Sequence, residues 1–299
     1  MVTETLQRDV ERDVETELRV TVHADLDVAL AAKPDAVFVC NPSAQHLEVA
    51  LSAASAGCHL FIEKPVSHTI DGLGRLRAEV AKHGLVAAVG CQWRFHPCVI
   101  RLREVIESGA LGKLNKAEIR YAEYLPDWHP YEDYRTSYAA RADLGGGVVL
   151  TQLHDYDLAW WLFGAARTVH ATGGHLSDLE IDVEDTVHAQ IDTTAVPVFV
   201  SQSFAERPPR RMITVRGTAA TATLDLLAAR LAIEPAVADG LVVADYERNE
   251  MFRAEVADFL SCVEDGRAPR VPLDEGIAVL RLALAVKESL RSGRPVQVT

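Results

Sequence analysis

The sequence predicts a parallel α/β sheet domain over residues 1–96, followed by an α+β domain with a large, mostly antiparallel sheet over 97–299. Three observations carry this fold class. Charge-free apolar runs alternate with helix-patterned segments in the first third, half-buried alternating runs follow one another through the middle, and two amphipathic helices close the chain. The elements can be justified in order. Arg19 to His23 is a short β-branched run, and Asp25 to Ala32 reads as a helix with an acidic cap. Ala36-Val37-Phe38-Val39-Cys40 is apolar on both faces, as a strand covered by helices on both sides must be. Gln45 to Ala56 is helical and stopped by Gly57, and His59 to Ile62 is the next strand. Thr69 to His83 is helical up to Gly84, and Leu85 to Val89 is the strand that closes the series. The crossovers between these strands should be right-handed, so the loops after Cys40, Glu63 and Cys91 should line one edge of the sheet, where ligands bind.

That edge has the layout of a Rossmann-type dinucleotide site, but it is incomplete. Such a site needs a first strand running through a glycine-rich turn into a helix whose N-terminus holds a pyrophosphate. Gly72-Leu73-Gly74 does not supply it, because it falls within a predicted helix, follows no strand and has Arg77 at the third glycine position. Without that first strand, Ala36 to Cys40 becomes an edge strand. Either a segment has been lost from the N-terminus, or Met1 to Leu18 rearranges to cover the gap, or another chain does.

Beyond Pro97 a helix runs over Cys98 to Glu107. Strands are expected at Lys116 to Tyr124, Thr168 to Thr172, Val187 to Asp192, Val196 to Phe204, Arg211 to Arg216 and Thr221 to Leu226. Helices follow at Met251 to Asp265 and at Asp274 to Ser292, the second with Asp274 as its cap. Trp161 of the Trp160-Trp161 pair is expected in the core, with Trp160 partly exposed.

Composition narrows the function. A net charge of −13 without a basic run argues against nucleic acid, and neither an export signal nor an eighteen-residue apolar span is present. Five dispersed cysteines without a C-x-x-C pair argue against disulfides or a zinc knuckle and fit a reduced, cytoplasmic setting. Eleven histidines without H-x-H or H-x-x-x-H spacing give no metal site.

The motifs are Val39-Cys40-Asn41-Pro42-Ser43 with His46, then Ile62-Glu63-Lys64-Pro65, then Gln92-Trp93-Arg94-Phe95-His96-Pro97. They are followed by Leu144-Gly145-Gly146-Gly147 through His154-Asp155-Tyr156-Asp157 to Trp161-Leu162-Phe163-Gly164. In this order and spacing they resemble the glucose-fructose oxidoreductase and inositol dehydrogenase family, Gfo/Idh/MocA, over nearly the whole chain. The resemblance implies an NAD- or NADP-dependent oxidoreductase acting on a sugar, sugar derivative or polyol. It also implies that Met1 falls after the second strand of the family's fold, so that about forty residues with the pyrophosphate loop are missing. A displaced start codon or truncated gene explains this as well as evolved loss does, and Asp9 is a remnant candidate for the residue that ends strand 2.

By the same resemblance, Cys40, Asn41, Pro42, His46, Glu63, Lys64 and Gln92 lie along the cofactor, and Lys64 and His154 are the catalytic candidates. The chemistry suits them, since oxidising a CH–OH group requires removal of a hydroxyl proton, which a desolvated lysine or a histidine can manage near neutrality. His154 reads as a substrate contact or a general acid/base, with Asp157 on the same helical side. Many family members carry an aspartate four residues before this histidine, where this chain has Leu150. Pro65 is a candidate for a cis peptide.

The loop from Tyr124 to Arg135 carries Trp128 and Tyr134, whose faces can stack on a sugar ring, although it could instead pack on the sheet or at a subunit contact. Arg94 could bind a substrate anion or cap the interdomain hinge. The resemblance further implies a homo-oligomer, dimer or tetramer, paired through the open sheet. The contrasting reading is a non-catalytic remnant or subunit partner that no longer binds a dinucleotide.

Overall fold

The computed structural model describes residues 18–299. Asp9 and the charged segment before Leu18 lie outside the described residues. The first sheet has three parallel strands in the order β1 (Ala36–Val39), β2 (His59–Glu63), β3 (Ala87–Gly90). Helix α1 (Leu26–Ala31) precedes them, opened by the Asp25 carboxylate, which accepts from the Asp27 and Val28 amides. Helix α2 (His46–Ser55) connects β1 to β2, and α3 (Leu73–His83) connects β2 to β3. Leu60 and Ile62 on β2 are fully buried. Burial of such side chains stabilises by about 1.5–3 kcal/mol each. Among the described residues β1 is an edge strand, as expected for a sheet without its first strand. Its Phe38 is 44% exposed and stacks on Phe61, with Phe259 edge-on to both.

Local expectations fail in the following places. Residues 20–23 form no strand, and Val20 and Val22 stay exposed. The helix expected from Thr69 begins at Leu73, because Gly72 takes a left-handed φ of 82° and ends the preceding turn. Gly72 is therefore a turn residue outside the helix. Asp274 does not cap the last helix, which starts at Leu273 after Pro272; it sits in the first turn and pairs with Arg77.

Helix α4 (Pro97–Glu107) leads into the second sheet, whose nine strands run β11-β10-β9-β8-β4-β7-β6-β5-β12. They are β4 (Leu114–Tyr124), β5 (Ala166–Gly174), β6 (Thr186–Thr193), β7 (Pro197–Ser203), β8 (Ala205–Gly217), β9 (Thr221–Asp225), β10 (Arg230–Glu234), β11 (Leu241–Val242) and β12 (Val296–Gln297). All pairs are antiparallel except β4 with β7, so the sheet is mostly antiparallel. Between β4 and β5 lie two short helices, α5 (Val148–Thr151) and α6 (His154–Phe163), where the sequence suggested one helix from Gln152. The chain closes with α7 (Asn249–Asp265) and α8 (Leu273–Ser292). Trp160 and Trp161 are both half-buried, which corrects the expectation that Trp161 alone serves the core. No helix among the described residues is long and apolar enough to cross a membrane.

The two sheets meet through α5, α6 and the glycine run before them. Gly145 has a φ of 80°, and a Cβ there would stand 3.1 Å from that of Ser43 and 3.0 Å from that of His68. Gly147, with a φ of 98°, leaves no room for a Cβ beside the Glu184 carboxylate. Both positions combine a left-handed backbone with a close approach, and glycine meets both demands.

Candidate active site

The ends of β1, β2 and β3 open onto one edge. Lys64, just past β2, is half-buried, and its Nζ donates to the Thr151 carbonyl at 2.7 Å, where α5 ends. Glu63 and Lys64 precede a cis Lys64–Pro65 peptide. Gln92 follows β3 in a short turn of 3-10 helix, and its amide Nε2 lies 3.4 Å from His154 Nε2. His154, the first residue of α6, is 5% exposed. The fold therefore gathers Lys64, Gln92 and His154 from three separate elements. Leu150 is buried on α5.

Buried polar atoms without a protein partner cluster among these residues. They include His154 Nδ1, Gln92 Oε1, Thr151 Oγ1 and, on the β1 loop, Asn41 Oδ1. A neutral imidazole has one donor and one acceptor nitrogen, so His154 can offer one nitrogen to Gln92 and the other to a ligand. Burial, together with the facing charges of Lys64, Arg211 and Arg248, holds His154 well below its ordinary pKa. At neutral pH the ring is therefore unprotonated and able to accept a proton.

Several expected site residues have other tasks. Arg94 is not available to a substrate anion, because it is fully buried. Its Nε donates to both Asp157 carboxylate oxygens at 3.0 and 3.1 Å, and Glu275 on α8 takes a further guanidinium nitrogen. Asp157 is likewise spent on this pair, with its side chain buried. The arrangement ties the turn after β3 to α6 and α8, and corrects the substrate-binding expectation for both residues. His46 is also corrected: it is 1% exposed, with its ring nitrogens 2.7 Å from the Pro65 and Asn41 carbonyls, so it staples two strand-end loops together. Cys40 is exposed, while Asn41, Pro42 and Glu63 are half-buried along the edge.

In the aromatic loop, Trp128 and Tyr134 line a pocket of about 160 Å³ into which the side chain of Ser137 also faces. Tyr124 stands apart from this pocket, with the Arg207 guanidinium 3.6 Å above its ring. A larger cavity, about 620 Å³, lies elsewhere, between α4 and the Trp160-Trp161 pair.

Sequence reasoning missed two buried ionisable groups here. Arg211 on β8 donates to Gln152 Oε1 at 2.6 Å. Glu255 on α7 is 4% exposed, and burial, with the Glu63 and Asp157 charges, pushes its carboxyl up to about 9. Neither position stands out from the sequence, because each reaches the site from a distant element. The native chain keeps a proton on Glu255 that the unfolded chain releases near 4.5. This contribution to stability therefore falls as pH rises from about 4.5 to about 9. Glu255→Gln should abolish the loss, so its Tm relative to wild type should climb across that window. A constant Tm difference would refute the assignment.

A family description reading "Oxidoreductase family, NAD-binding Rossmann fold" matches residues 3–91, and "GFO/IDH/MocA C-terminal domain" matches 99–223. "Uncharacterized oxidoreductase YrbE" of Bacillus subtilis is 29% identical over 88% of this chain and 78% of its own length. "Myo-inositol 2-dehydrogenase" of Thermotoga maritima is 27% identical over 88% of this chain and 80% of its own. Among solved structures, GenD2 from gentamicin A biosynthesis, in complex with NAD, superposes with a TM-score of 0.82 at 24% identity. That match covers 96% of this chain and 85% of the other and shares the fold. With its motifs in order and both sheets in place, the chain belongs to the Gfo/Idh/MocA family of oxidoreductases.

Proposed function

We propose that this chain is an NAD(P)-dependent oxidoreductase that interconverts a CH–OH group and a carbonyl on a sugar, sugar derivative or polyol. The observation that carries this reading is the convergence of Lys64, Gln92 and His154 at the strand ends, with polar atoms left for a ligand. The cofactor, when bound, supplies the hydride acceptor or donor. Asn41, Glu63, Lys64 and Gln92 would hold its nicotinamide end, as their place on the sheet edge and the unpartnered Asn41 oxygen allow. Oxidation of the alcohol also releases a proton; with the Gln92 amide turned so that Oε1 accepts from His154 Nε2–H, Nδ1 keeps its lone pair and takes that proton. Lys64 Nζ, aimed by the Thr151 carbonyl, donates a hydrogen bond to the substrate oxygen and stabilises the charge that develops there. Trp128 and Tyr134 supply faces for the sugar.

The test is NAD⁺ and NADP⁺ reduction by the purified chain with pentoses, hexoses and inositols, followed across pH. Turnover should persist well below the ordinary histidine value of 6.5 and fall as the ring protonates. Absence of turnover with the whole panel, together with no calorimetric binding of NADH or NADPH, would refute the reading.

A further inference from the structure

Helices α5 and α6 are separated by a break at Gln152, whose φ and ψ are −100° and 37°. The carbonyl that takes Lys64 lies one residue before this break and His154 two residues after it. A chain break in that place would leave both groups loosely aimed, yet it is tied twice to the large sheet. Gln202 on β7 donates from Nε2 to the Gln152 carbonyl at 2.7 Å and to Asp155 Oδ2 at 2.8 Å, and is itself held by the Tyr156 hydroxyl at 2.9 Å. Arg211 on β8 donates to the Gln152 side chain at 2.6 Å.

Arg211 is an unusual tether. It is 6% exposed, lies 4.8 Å from the Trp93 ring centre and 4.6 Å from that of Tyr121, and has a buried nitrogen without a hydrogen-bond partner. Among the described residues it forms no ion pair. The buried Asp155 carboxylate feels this charge without bonding it, so the cation is only partly compensated; that burial is costly, and a neutral glutamine or asparagine could hold Gln152 more cheaply.

We propose that Arg211 is a positioning residue of the reaction, which fixes the Gln152 break and so aims both the Thr151 carbonyl that orients Lys64 and the ring of His154. The proposal rests on the acid/base reading of Lys64 and His154 given above. The cation adds what a neutral tether could not. The charged groups that face His154 are Lys64 from the end of β2, Arg211 from β8 and Arg248 from the turn before α7, and all three disfavour the imidazolium. Loss of Arg211 relieves part of that repulsion, so the His154 pKa rises and activity is lost at a higher pH on acidification.

The test uses the full chain and its Arg211→Gln, Arg211→Lys and Gln152→Ala variants, with kcat and KM measured across pH and His154 followed by NMR of labelled histidine. Arg211→Gln should lower kcat by about 10- to 100-fold with little change in KM, and should move the acidic limb and the His154 titration to higher pH. Arg211→Lys should restore the limb. Gln152→Ala, which cuts the tether but keeps the cation, should lower kcat and leave the limb in place. Should Arg211→Gln fail to fold, the wild type and the other two variants still decide. A wild-type His154 that titrates at or above its ordinary value, or an undiminished kcat in Gln152→Ala, overturns the proposal, as does a limb that Arg211→Gln leaves unmoved. If no substrate turns over, the acid/base reading fails by itself. The His154 titration in wild type and Arg211 variants still reads the charge effect, and identical curves overturn the proposal.

Discussion

Lys64→Ala should lower kcat by about 10²- to 10⁴-fold, the range spanned by loss of a positioned proton-handling or oxyanion-stabilising group. Among the described residues the side chain has one hydrogen bond, to the Thr151 carbonyl, and is half-buried, so the fold should lose only about 1 kcal/mol. The expected signature is thus a large fall in kcat with a nearly unchanged Tm. Initial rates of cofactor reduction and thermal unfolding, measured on the same preparation, check it. A variant that keeps wild-type kcat would remove Lys64 from the chemistry, and one that unfolds would make it a structural residue.

Asp157→Ala should destabilise the fold by about 3–5 kcal/mol, because it leaves the fully buried Arg94 guanidinium with Glu275 as its one remaining carboxylate. Asp157 holds Arg94 through two bonds from Nε, and both side chains are buried. Glu275, the other carboxylate on Arg94, is 31% exposed, so Glu275→Ala should cost less. Replacing both Arg94 and Asp157 with leucine should be milder than Asp157→Ala alone, since no fully buried charge is then left unpaired and Glu275 can reach solvent. Urea unfolding of the four proteins gives the comparison. A loss from Asp157→Ala no larger than that from Glu275→Ala would show that the buried pair does not hold the turn after β3 to α6.

The sequence alone made the longer apolar and alternating strands of each sheet readable, because their physical cause is local. Ala36 to Val39 and His59 to Ile62 are apolar runs bounded by turn residues, and Ala117, Ile119 and Tyr121 alternate along one face of β4. A run that must be buried on one or both faces announces itself by composition and period. The short strands β10, β11 and β12 were not legible, since each is defined by the neighbour it pairs with. Lys64, Gln92 and His154 stood out as residues suited to proton transfer and ligand contact, and the fold brings them to one place.

Tertiary structure decided how the remaining charges are used. Arg94 and Asp157 look like ligand-binding residues when each is read alone, but they are 63 positions apart and satisfy one another. His46 reads as a helix residue beside a cofactor, yet both of its nitrogens face the main chain. Arg211 and Glu255 carry no local mark, and their environments are built by β4, β7, α5, α6 and α7. Periodicity and turn chemistry act over a few residues and so survive in the sequence. Whether a buried charge meets a partner, a ligand or another charge depends on the distance between segments, which is fixed once the two sheets pack.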